Sequence, residues 1–261
     1  MIRVGIGGWV FKPWRGAFYP EGLPQARELE YASRKLTAIE INGTFYSTQK
    51  PESFRKWAAE TPDDFVFSLK GPRFTTHRRV LAEAGESIER FFGSGVAELK
   101  GKLGPILWQF HSGKKFEPDD FAAFLALLPQ RVDGKPIRHA VEVRHESFLV
   151  PEFIALLRQF SVAPVLVESD KHPVIADVTG DFVYARLQRT SEKEKAGYPA
   201  RALDAWAKRA KTFAEGGTPD DLATIAPPAP ARAKRDVFIY MISGAKVRAP
   251  AAAMALIERL T

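Results

Sequence analysis

The chain contains no cysteine, which excludes disulfide bonds and every metal site built on thiolates. A metal ion would therefore need histidine, aspartate or glutamate ligands. No apolar segment approaches the roughly 20 residues of a membrane-spanning helix, and the opening residues Met1–Ile6 lack the apolar region of a signal peptide. We therefore expect a cytoplasmic protein with no membrane partner.

The sequence also lacks the glycine-rich fingerprint of a dinucleotide site. Gly5, Gly7 and Gly8 lie at the end of the first apolar segment, but their spacing is not that of a pyrophosphate-binding turn. This absence counts against a doubly wound open sheet, and we predict no cofactor.

Apolar and aromatic residues are abundant. Hydrophobic residues fill 45% of the 261 positions and include 19 phenylalanines, which is enough for a large core. Short apolar strands alternate with helical patterns, among them Glu28–Leu36 and Ser87–Lys100. The predicted strands are Ile2–Ile6, Ala38–Ile41, Phe65–Lys70, Pro105–Phe110, one beginning at Ala140, Val162–Val167, Phe182–Leu187 and Asp236–Ile242. This alternation predicts an α/β protein with a single domain over residues 1–261, folded as a TIM-type (β/α)8 barrel.

Two stretches depart from a regular barrel. Ser169–Asp181 leaves too little room for a full helix, so the sixth crossover is predicted to be shortened. Gly216–Arg235 is rich in alanine and proline and precedes the eighth strand. We interpret it as a surface excursion, because neither side of it is a complete unit.

The chain is organised around the stretch Ala140–Phe148. Val141 and Val143 alternate there with Glu142 and Arg144, which places opposite charges on one face of a strand. In a central strand such charges must be paired or functional. Because Glu142 lies near the end of the strand, we expect it in an open, hydrated pocket.

Strand parity brings further polar residues to the carboxyl ends of the predicted strands, where TIM barrels hold their active sites. These strand-end residues are Glu40, Asn42, Lys70, Gln109, Glu142, Arg144, Glu168, Asp170, Tyr184, Arg186 and Tyr240. We predict a small anionic substrate, phosphorylated or carboxylated, clamped by Arg144 and Arg186, whose planar donors suit such groups. Glu142 or Glu40 would be the general base and Lys70 a general acid or electrostatic stabiliser. The further predicted substrate contacts are Asn42, Gln109, His77, His145, Tyr46, Trp9, Tyr240 and Glu168.

Other interpretations stay open. Three acids and three bases of this set could neutralise one another as a structural layer. His77, His111, His145 and His172 follow the predicted third to sixth strands and could bind a divalent metal together with carboxylates. Lys70 and two arginines would repel such a cation, so the site is predicted to be metal-free.

The net charge of +7 and the pI near 9.5 suggest a nucleic acid as a second partner class. One basic group is Arg73, His77, Arg78 and Arg79; another is Arg232, Lys234 and Arg235. Either group could instead be a solvated surface. The alternatives to a small-molecule enzyme are thus a metal-dependent nucleic-acid-processing barrel and a non-catalytic ligand-binding barrel.

An ordered set of short motifs resembles a known family. The motifs are Gly-Gly-Trp at 7–9, Glu-Ile-Asn-Gly-Thr-Phe-Tyr at 40–46, Phe-Ser-Leu-Lys at 67–70, Thr-His at 76–77, Leu-Trp-Gln at 107–109, Glu-Val-Arg-His at 142–145 and Tyr-Ala-Arg-Leu at 184–187. Together they are similar to the YecE-like family, a domain of unknown function (DUF72). The resemblance implies a TIM barrel and a single domain, and it implies no reaction.

Overall fold

Eight parallel strands close into a barrel in this computed structural model, which describes residues 1–228 and 234–261. The strands are β1 Ile2–Gly7, β2 Ala38–Ile41, β3 Val66–Lys70, β4 Leu103–Gln109, β5 His139–Glu142, β6 Ala163–Glu168, β7 Phe182–Leu187 and β8 Asp236–Met241. They pair in the order β1-β8-β7-β6-β5-β4-β3-β2, and β2 returns to β1. The predicted (β/α)8 barrel is confirmed.

Helices lie between most of the strands. Within the described residues they are α1 Glu28–Ser33, α2 Gly43–Tyr46, α3 Pro51–Glu60, α4 Arg73–Thr76, α5 Gly85–Gly93, α6 Pro118–Leu127, α7 Pro151–Phe160, α8 Ala200–Ala214 and α9 Ala249–Glu258. Four of them carry proline in the first turn, where its missing N–H costs no hydrogen bond. A short hairpin, Arg131–Val132 with Lys135–Pro136, precedes β5.

The helix predicted over Ser87–Lys100 is interrupted. Helix α5 ends at Gly93, and Gly95 takes a left-handed φ of 102° before a 3₁₀ segment, Val96–Lys102. Glycine suits this position because a Cβ there would lie 2.8 Å from the Pro51 ring as well as being strained. Helix α1 also ends earlier than predicted, at Ser33 rather than Leu36.

The apolar core has two parts. One lies between the barrel and the surrounding helices, and the other fills the barrel interior. The interior part contains Ala38, Leu107, Ala140, Ala163, Val165, Val167, Phe182, Tyr184, Phe238 and Tyr240. Because side chains alternate along a strand, this set fixes which residues point inward at the carboxyl ends.

The shortened sixth crossover is also confirmed, since Ser169–Asp181 contains no helix. Its residues Ile175, Ala176 and Val178 are nevertheless buried. The carboxylate of Asp177 accepts hydrogen bonds from the backbone N–H groups of Ile225 at 2.8 Å and Ala226 at 2.9 Å. The described part of the alanine- and proline-rich segment therefore packs against this crossover.

One predicted basic surface group is not formed as expected. Arg232 lies outside the described residues, and Arg235 is only 2% exposed. Its Nη1 donates a hydrogen bond to the carbonyl oxygen of Gly217 at 2.8 Å. Among the described helices, none has both the length and the apolar character needed to cross a membrane.

Candidate active site at the carboxyl end of the barrel

Five polar side chains form a layer at the carboxyl ends of the barrel strands. This polar layer consists of Glu40, Lys70, Gln109, Glu142 and Arg186, each less than 10% exposed. The barrel register explains their proximity, because Gln109 of β4 is paired directly with Glu142 of β5. Sequence parity predicted all five as site residues, and the structure brings all five together.

Arg186 is the centre of the polar layer. Its Nη2 and Nε donate to the two carboxylate oxygens of Glu40 at 2.9 and 3.1 Å, and its Nη1 donates to Oε2 of Glu142. Burial alone would lower the pKa of Arg186, but Glu142 and Glu40 raise it above its ordinary value. The guanidinium is thus occupied by protein carboxylates, and the predicted anion clamp by Arg186 is not available in this arrangement.

Glu142 is fully buried, so the expectation of an open, hydrated pocket around it is wrong. Its Oε1 accepts hydrogen bonds from Gln109 Nε2 and Arg144 Nε, both at 2.8 Å. Burial alone would raise the pKa of Glu142, but Arg186 and Arg144 lower it to about 2. Glu142 is therefore a carboxylate throughout the physiological pH range.

Lys70 has a different environment from the two arginines. Its Nζ donates to Oε1 of Gln109 at 2.8 Å and lies 3.7 Å from the centre of the Phe45 ring. Burial lowers the pKa of Lys70 to about 8, and the nearby charge of Arg186 acts in the same direction. Lys70 is consequently a buried amine that changes its protonation state close to neutral pH.

The Glu40 carboxylate holds two further groups. Tyr184 donates its hydroxyl hydrogen to Oε2 at 2.7 Å, and Asn42 Nδ2 donates to Oε1 at 3.0 Å. Asn42, predicted as a substrate contact, is thus hydrogen-bonded to Glu40 at the edge of the layer. Gly7 leaves room for this, since a Cβ on Gly7 would lie 3.0 Å from the Asn42 amide nitrogen.

Two threonines fix the strand ends that carry the layer. Thr44 donates its hydroxyl hydrogen to the Lys70 carbonyl at 2.7 Å, and Thr76 does the same to the Gln109 carbonyl at 2.6 Å. Gly71 is needed beside Lys70, because a Cβ there would lie 2.4 Å from the Trp108 ring. The loops after β2 and β3 therefore anchor β3 and β4 where the layer begins.

None of the histidines predicted for the site is hydrogen-bonded to the layer within the described chain. The rings of His77 and His111 are 5.1 Å apart, and His77 is 5.7 Å from Phe45. Burial and then His111 lower the pKa of His77, whereas burial and then Arg144 lower the pKa of His172. At neutral pH the imidazoles of His77 and His172 are mainly uncharged and able to donate or accept a hydrogen bond.

Comparison with known proteins confirms the family resemblance. Residues 3–261 match the family model described as "Protein of unknown function DUF72". The chain belongs to the DUF72 family.

Three DUF72-type relatives illustrate the similarity. YecE, a UPF0759 protein of Escherichia coli K12, is 28% identical over 151 residues, which cover 57% of this chain and 50% of YecE. YunF, a UPF0759 protein of Bacillus subtilis 168, is 25% identical over 174 residues, covering 65% of this chain and 60% of YunF. The matched regions thus span only about half of YecE and three fifths of YunF. A DUF72 family crystal structure from Thermotoga maritima has a TM-score of 0.77 at 22% identity, covering 100% of this chain and 99% of that one, which shows a shared fold.

Several residues predicted for the site of this DUF72 protein lie elsewhere. The Glu168 carboxylate points out of the barrel toward the surrounding helices. It accepts hydrogen bonds there from Trp206 Nε1 at 2.8 Å and from the Tyr198 hydroxyl. Trp9 packs edge-on against Trp57 at 5.2 Å, between the barrel and α3.

Three more predicted contacts lie below or outside the layer. Tyr240 is buried one step deeper in the barrel, bonded to Ser68 at 2.7 Å. His145 accepts the Ser147 N–H at 3.1 Å as a local cap, and Tyr46 is 72% exposed on the rim. None of these three is hydrogen-bonded to the polar layer within the described chain.

The side chains needed for the alternative metal site are not assembled in the described part of the chain. The described residues contain no group of three or more histidine, aspartate or glutamate side chains placed to hold an ion. Glu40 and Glu142, the carboxylates nearest the predicted site, are already bonded to Arg186. The two carboxylates of the layer are therefore paired with an arginine rather than grouped with histidines around a space for a cation.

Three residues that contact the layer were not predicted from the sequence. Phe45, whose ring faces the Lys70 ammonium, was passed over because an apolar residue in a loop resembles ordinary packing. Thr44 and Thr76 lie in the motifs at 40–46 and 76–77, but hydroxyl bonds to strand-end carbonyls have no sequence signature. Tyr184 was recognised on the correct face, although without its bond to Glu40.

Proposed function

We propose that this DUF72 protein is an enzyme that binds a small anionic substrate, phosphorylated or carboxylated, at the carboxyl end of the barrel. The charge balance carries the proposal. Lys70, Arg144 and Arg186 are three cations, whereas Glu40 and Glu142 are two carboxylates. One positive charge remains in a poorly hydrated region, and an anionic ligand would neutralise it.

Arg144 and Lys70 are the groups that would meet the anion. The side chain of Arg144 is 26% exposed, and its Nε and Nη2 both bond to Glu142, which leaves Nη1 unpartnered among the described residues. The hydrogen-bond acceptor of Lys70 is a neutral amide. By contrast, all three bonding nitrogens of Arg186 are used by Glu40 and Glu142.

Lys70 is the proposed proton-transfer group. A lysine with a pKa of about 8 exchanges its proton near neutral pH, which suits general acid–base catalysis. Glu142, with a pKa of about 2, is a weak base under the same conditions. Glu40 and Glu142 instead orient the cations, and the proton transfer predicted from sequence for Glu142 moves to Lys70.

Thermal unfolding in inorganic phosphate or sulfate tests the anion site. At about ten times the dissociation constant, binding would stabilise the folded state by about 1.4 kcal/mol. For a chain of this size that raises the melting temperature by roughly 3–5 °C. Sodium chloride at the same ionic strength serves as the reference.

Two variants locate the effect. Arg144→Gln should remove most of the rise, whereas Arg138→Gln, at the opposite end of the barrel, should retain it. An equal rise in wild type and Arg144→Gln would refute the proposed site, because the anion would then act through the solvent or elsewhere on the surface.

A second candidate function, nucleic-acid binding, is favoured by exposed cations and aromatic rings near the carboxyl ends of β2 and β3. Arg73, His77 and Arg79 are exposed after β3, and the aromatic side chains Tyr46 and Phe74 are 72% and 46% exposed. Cations beside exposed rings are typical of surfaces that bind single strands. Fluorescence anisotropy with a labelled oligonucleotide would distinguish the two functions, since only this one predicts affinity that falls steeply with salt and with Arg73→Gln.

The third alternative, a ligand-binding barrel without turnover, uses the same anion site. It predicts the phosphate-dependent rise in melting temperature but no role for proton transfer. The depressed pKa of Lys70 favours an enzyme, because binding alone needs only a fixed charge.

A further inference from the structure

We propose that Lys70 forms a covalent imine with the carbonyl carbon of its substrate, so that the substrate class is a small aldehyde or ketone carrying an anionic group. This inference rests on the proposed function, because the same anion site would hold the substrate. It adds a nucleophile and a functional group to that proposal.

Comparison with the other buried lysines supports this role. Lys102 Nζ donates to three oxygens, the carbonyls of Ala58 and Thr61 and the hydroxyl of Thr61, at 2.5 to 3.3 Å. Lys114 Nζ donates to the Arg79 carbonyl at 2.9 Å and to the Asp120 carboxylate at 2.8 Å. Lys102 thus uses three N–H donors and Lys114 is paired with a carboxylate, so both amines are held by structural contacts.

Lys70 has fewer hydrogen-bond acceptors than Lys102 or Lys114. Its Nζ has one oxygen acceptor, the neutral amide of Gln109, and otherwise faces the Phe45 ring. Neither neighbour requires three N–H donors, so the ammonium can lose a proton and the neutral amine can still donate to Gln109. A desolvated lysine next to other cations is the setting in which lysine acts as a nucleophile.

The charged groups around Lys70 act in both directions. Burial, Arg186 and Arg144 favour the neutral amine, whereas Glu40 and Glu142 favour the ammonium, with the net result that the pKa falls to about 8. His77, whose own pKa is lowered in part by Lys70, lies on the rim side. Near pH 7 Lys70 would hold on the order of 10²-fold more neutral amine than an exposed lysine.

A continuous chain of hydrogen bonds links the amine to the proposed anion contact. Gln109 accepts from Lys70 and donates to Oε1 of Glu142, and the same oxygen accepts from Arg144. Arg144 is also near enough to Lys70 for its charge to lower the pKa of Lys70. In this proposal the carbonyl carbon and the anionic group of one small molecule engage Lys70 and Arg144 together. A 2-oxo acid or an aldehydic acid has this arrangement.

The covalent step balances without an added oxidant or reductant. The neutral Nζ adds to the carbonyl carbon, and one amine proton passes to the carbonyl oxygen to give a carbinolamine. The C–O bond then breaks, and the hydroxyl leaves as water with the second N–H proton. The C=N double bond of the imine joins Lys70 to the substrate.

Reductive trapping on the wild-type protein tests the imine. Glyoxylate is the probe, and cyanoborohydride reduces any imine to a stable carboxymethyl-lysine that peptide mapping locates. We expect Lys70 to be modified at least tenfold faster than Lys102 and Lys114, with a rate that rises through pH 8. Inorganic phosphate should slow the reaction by competition, and Arg144→Gln should slow it about tenfold at subsaturating glyoxylate.

The controls separate the imine from the anion site. Both readouts are made on the wild-type protein: the phosphate-dependent rise in melting temperature reports the anion site, and the carboxymethyl label on Lys70 reports the imine. If wild-type protein shows that rise but labels Lys70 no faster than Lys102 and Lys114, the imine is refuted and the anion site stands. If it shows neither, both proposals fail.

Discussion

The charged side chains are buried at one end of the barrel and partly exposed at the other. At the carboxyl end, Glu142 and Arg186 are enclosed within the barrel. At the amino end, Asp236 accepts from Arg138 at 2.6 Å and from the Met1 amino group at 3.1 Å, on a partly exposed rim. A cavity of about 780 Å³ opens at that amino end, lined in part by Arg3, Arg138 and His139.

The comparison shows that the larger cavity and the unbalanced charge lie at opposite ends of the barrel. The amino-end charges of Arg138 meet the carboxylates of Asp236 and Asp181, and solvent screens all three. The carboxyl end retains Lys70, a buried cation whose hydrogen-bond acceptor is uncharged. Unbalanced charge among buried neighbours, rather than the size of a cavity, is what marks the candidate site.

The largest expected effect comes from Glu142→Gln. The substitution keeps the shape but leaves Arg186 and Arg144 short of a carboxylate in a buried setting, which should cost about 3–5 kcal/mol of unfolding free energy. Urea denaturation measures the loss, with Glu146→Gln on the exposed following loop as the matched control. A cost under about 1 kcal/mol would mean that water reaches the layer and that the two ends of the barrel do not differ.

An intermediate effect is expected from His139, at the start of β5. Trp108 Nε1 donates to its Nδ1 at 3.1 Å, so Nε2 carries the hydrogen and donates to the Pro129 carbonyl at 2.8 Å. Burial lowers the pKa of His139 to about 4. Between these two pKa values His139 is protonated in the unfolded chain and neutral in the folded chain. The free energy of unfolding therefore falls by about 3 kcal/mol in all as the pH drops from about 6.5 to about 4.

The two ends should lose stability in different pH ranges. The depressed pKa of Glu142, about 2 in the folded state, contributes stability above the unfolded value and loses it only as the pH falls from about 4.5 to about 2. Urea denaturation at a series of pH values separates the two ranges. His139→Gln should flatten the upper range alone, and a slope unchanged by the substitution would assign that range to another group.

The smallest effect is expected at the amino rim. Arg138→Gln removes ion pairs with Asp236 and Asp181, but the Arg138 side chain is 33% exposed, and the cost should stay below about 1 kcal/mol. That cost should shrink further in high salt. A salt-independent loss of several kcal/mol would show that this rim is as enclosed as the carboxyl end.

Strand parity predicted the polar layer because a strand fixes which residues share a face. Glu40 and Glu142 each alternate with apolar neighbours, so their faces could be assigned from sequence. Strand β6 offered no such alternation, since Val165, Leu166 and Val167 are all buried. Glu168 was therefore placed on the wrong side of the barrel wall, although the strand itself was predicted correctly.

The burial of the site could not be predicted in the same way. Whether Glu142 meets water or Arg186 depends on a residue 44 positions later in the chain and on the closure of the barrel. Tyr46 and His145 lie beyond the ends of β2 and β5, where strand periodicity no longer constrains the direction of a side chain. The fold and the composition of the layer are therefore predictable from the sequence, whereas the pairing of its charges is not.

The crossover without a helix has a consequence for the order in which the chain folds. In a regular βα unit the helix that covers a strand follows it directly, so the contacts are local. Here Asp177 is bonded to backbone groups 48 and 49 residues ahead of it. Closing a loop of that length costs conformational entropy before the contact can stabilise the fold, and such contacts form late. On the ribosome, this sector of the wall has to wait until residue 226 has emerged.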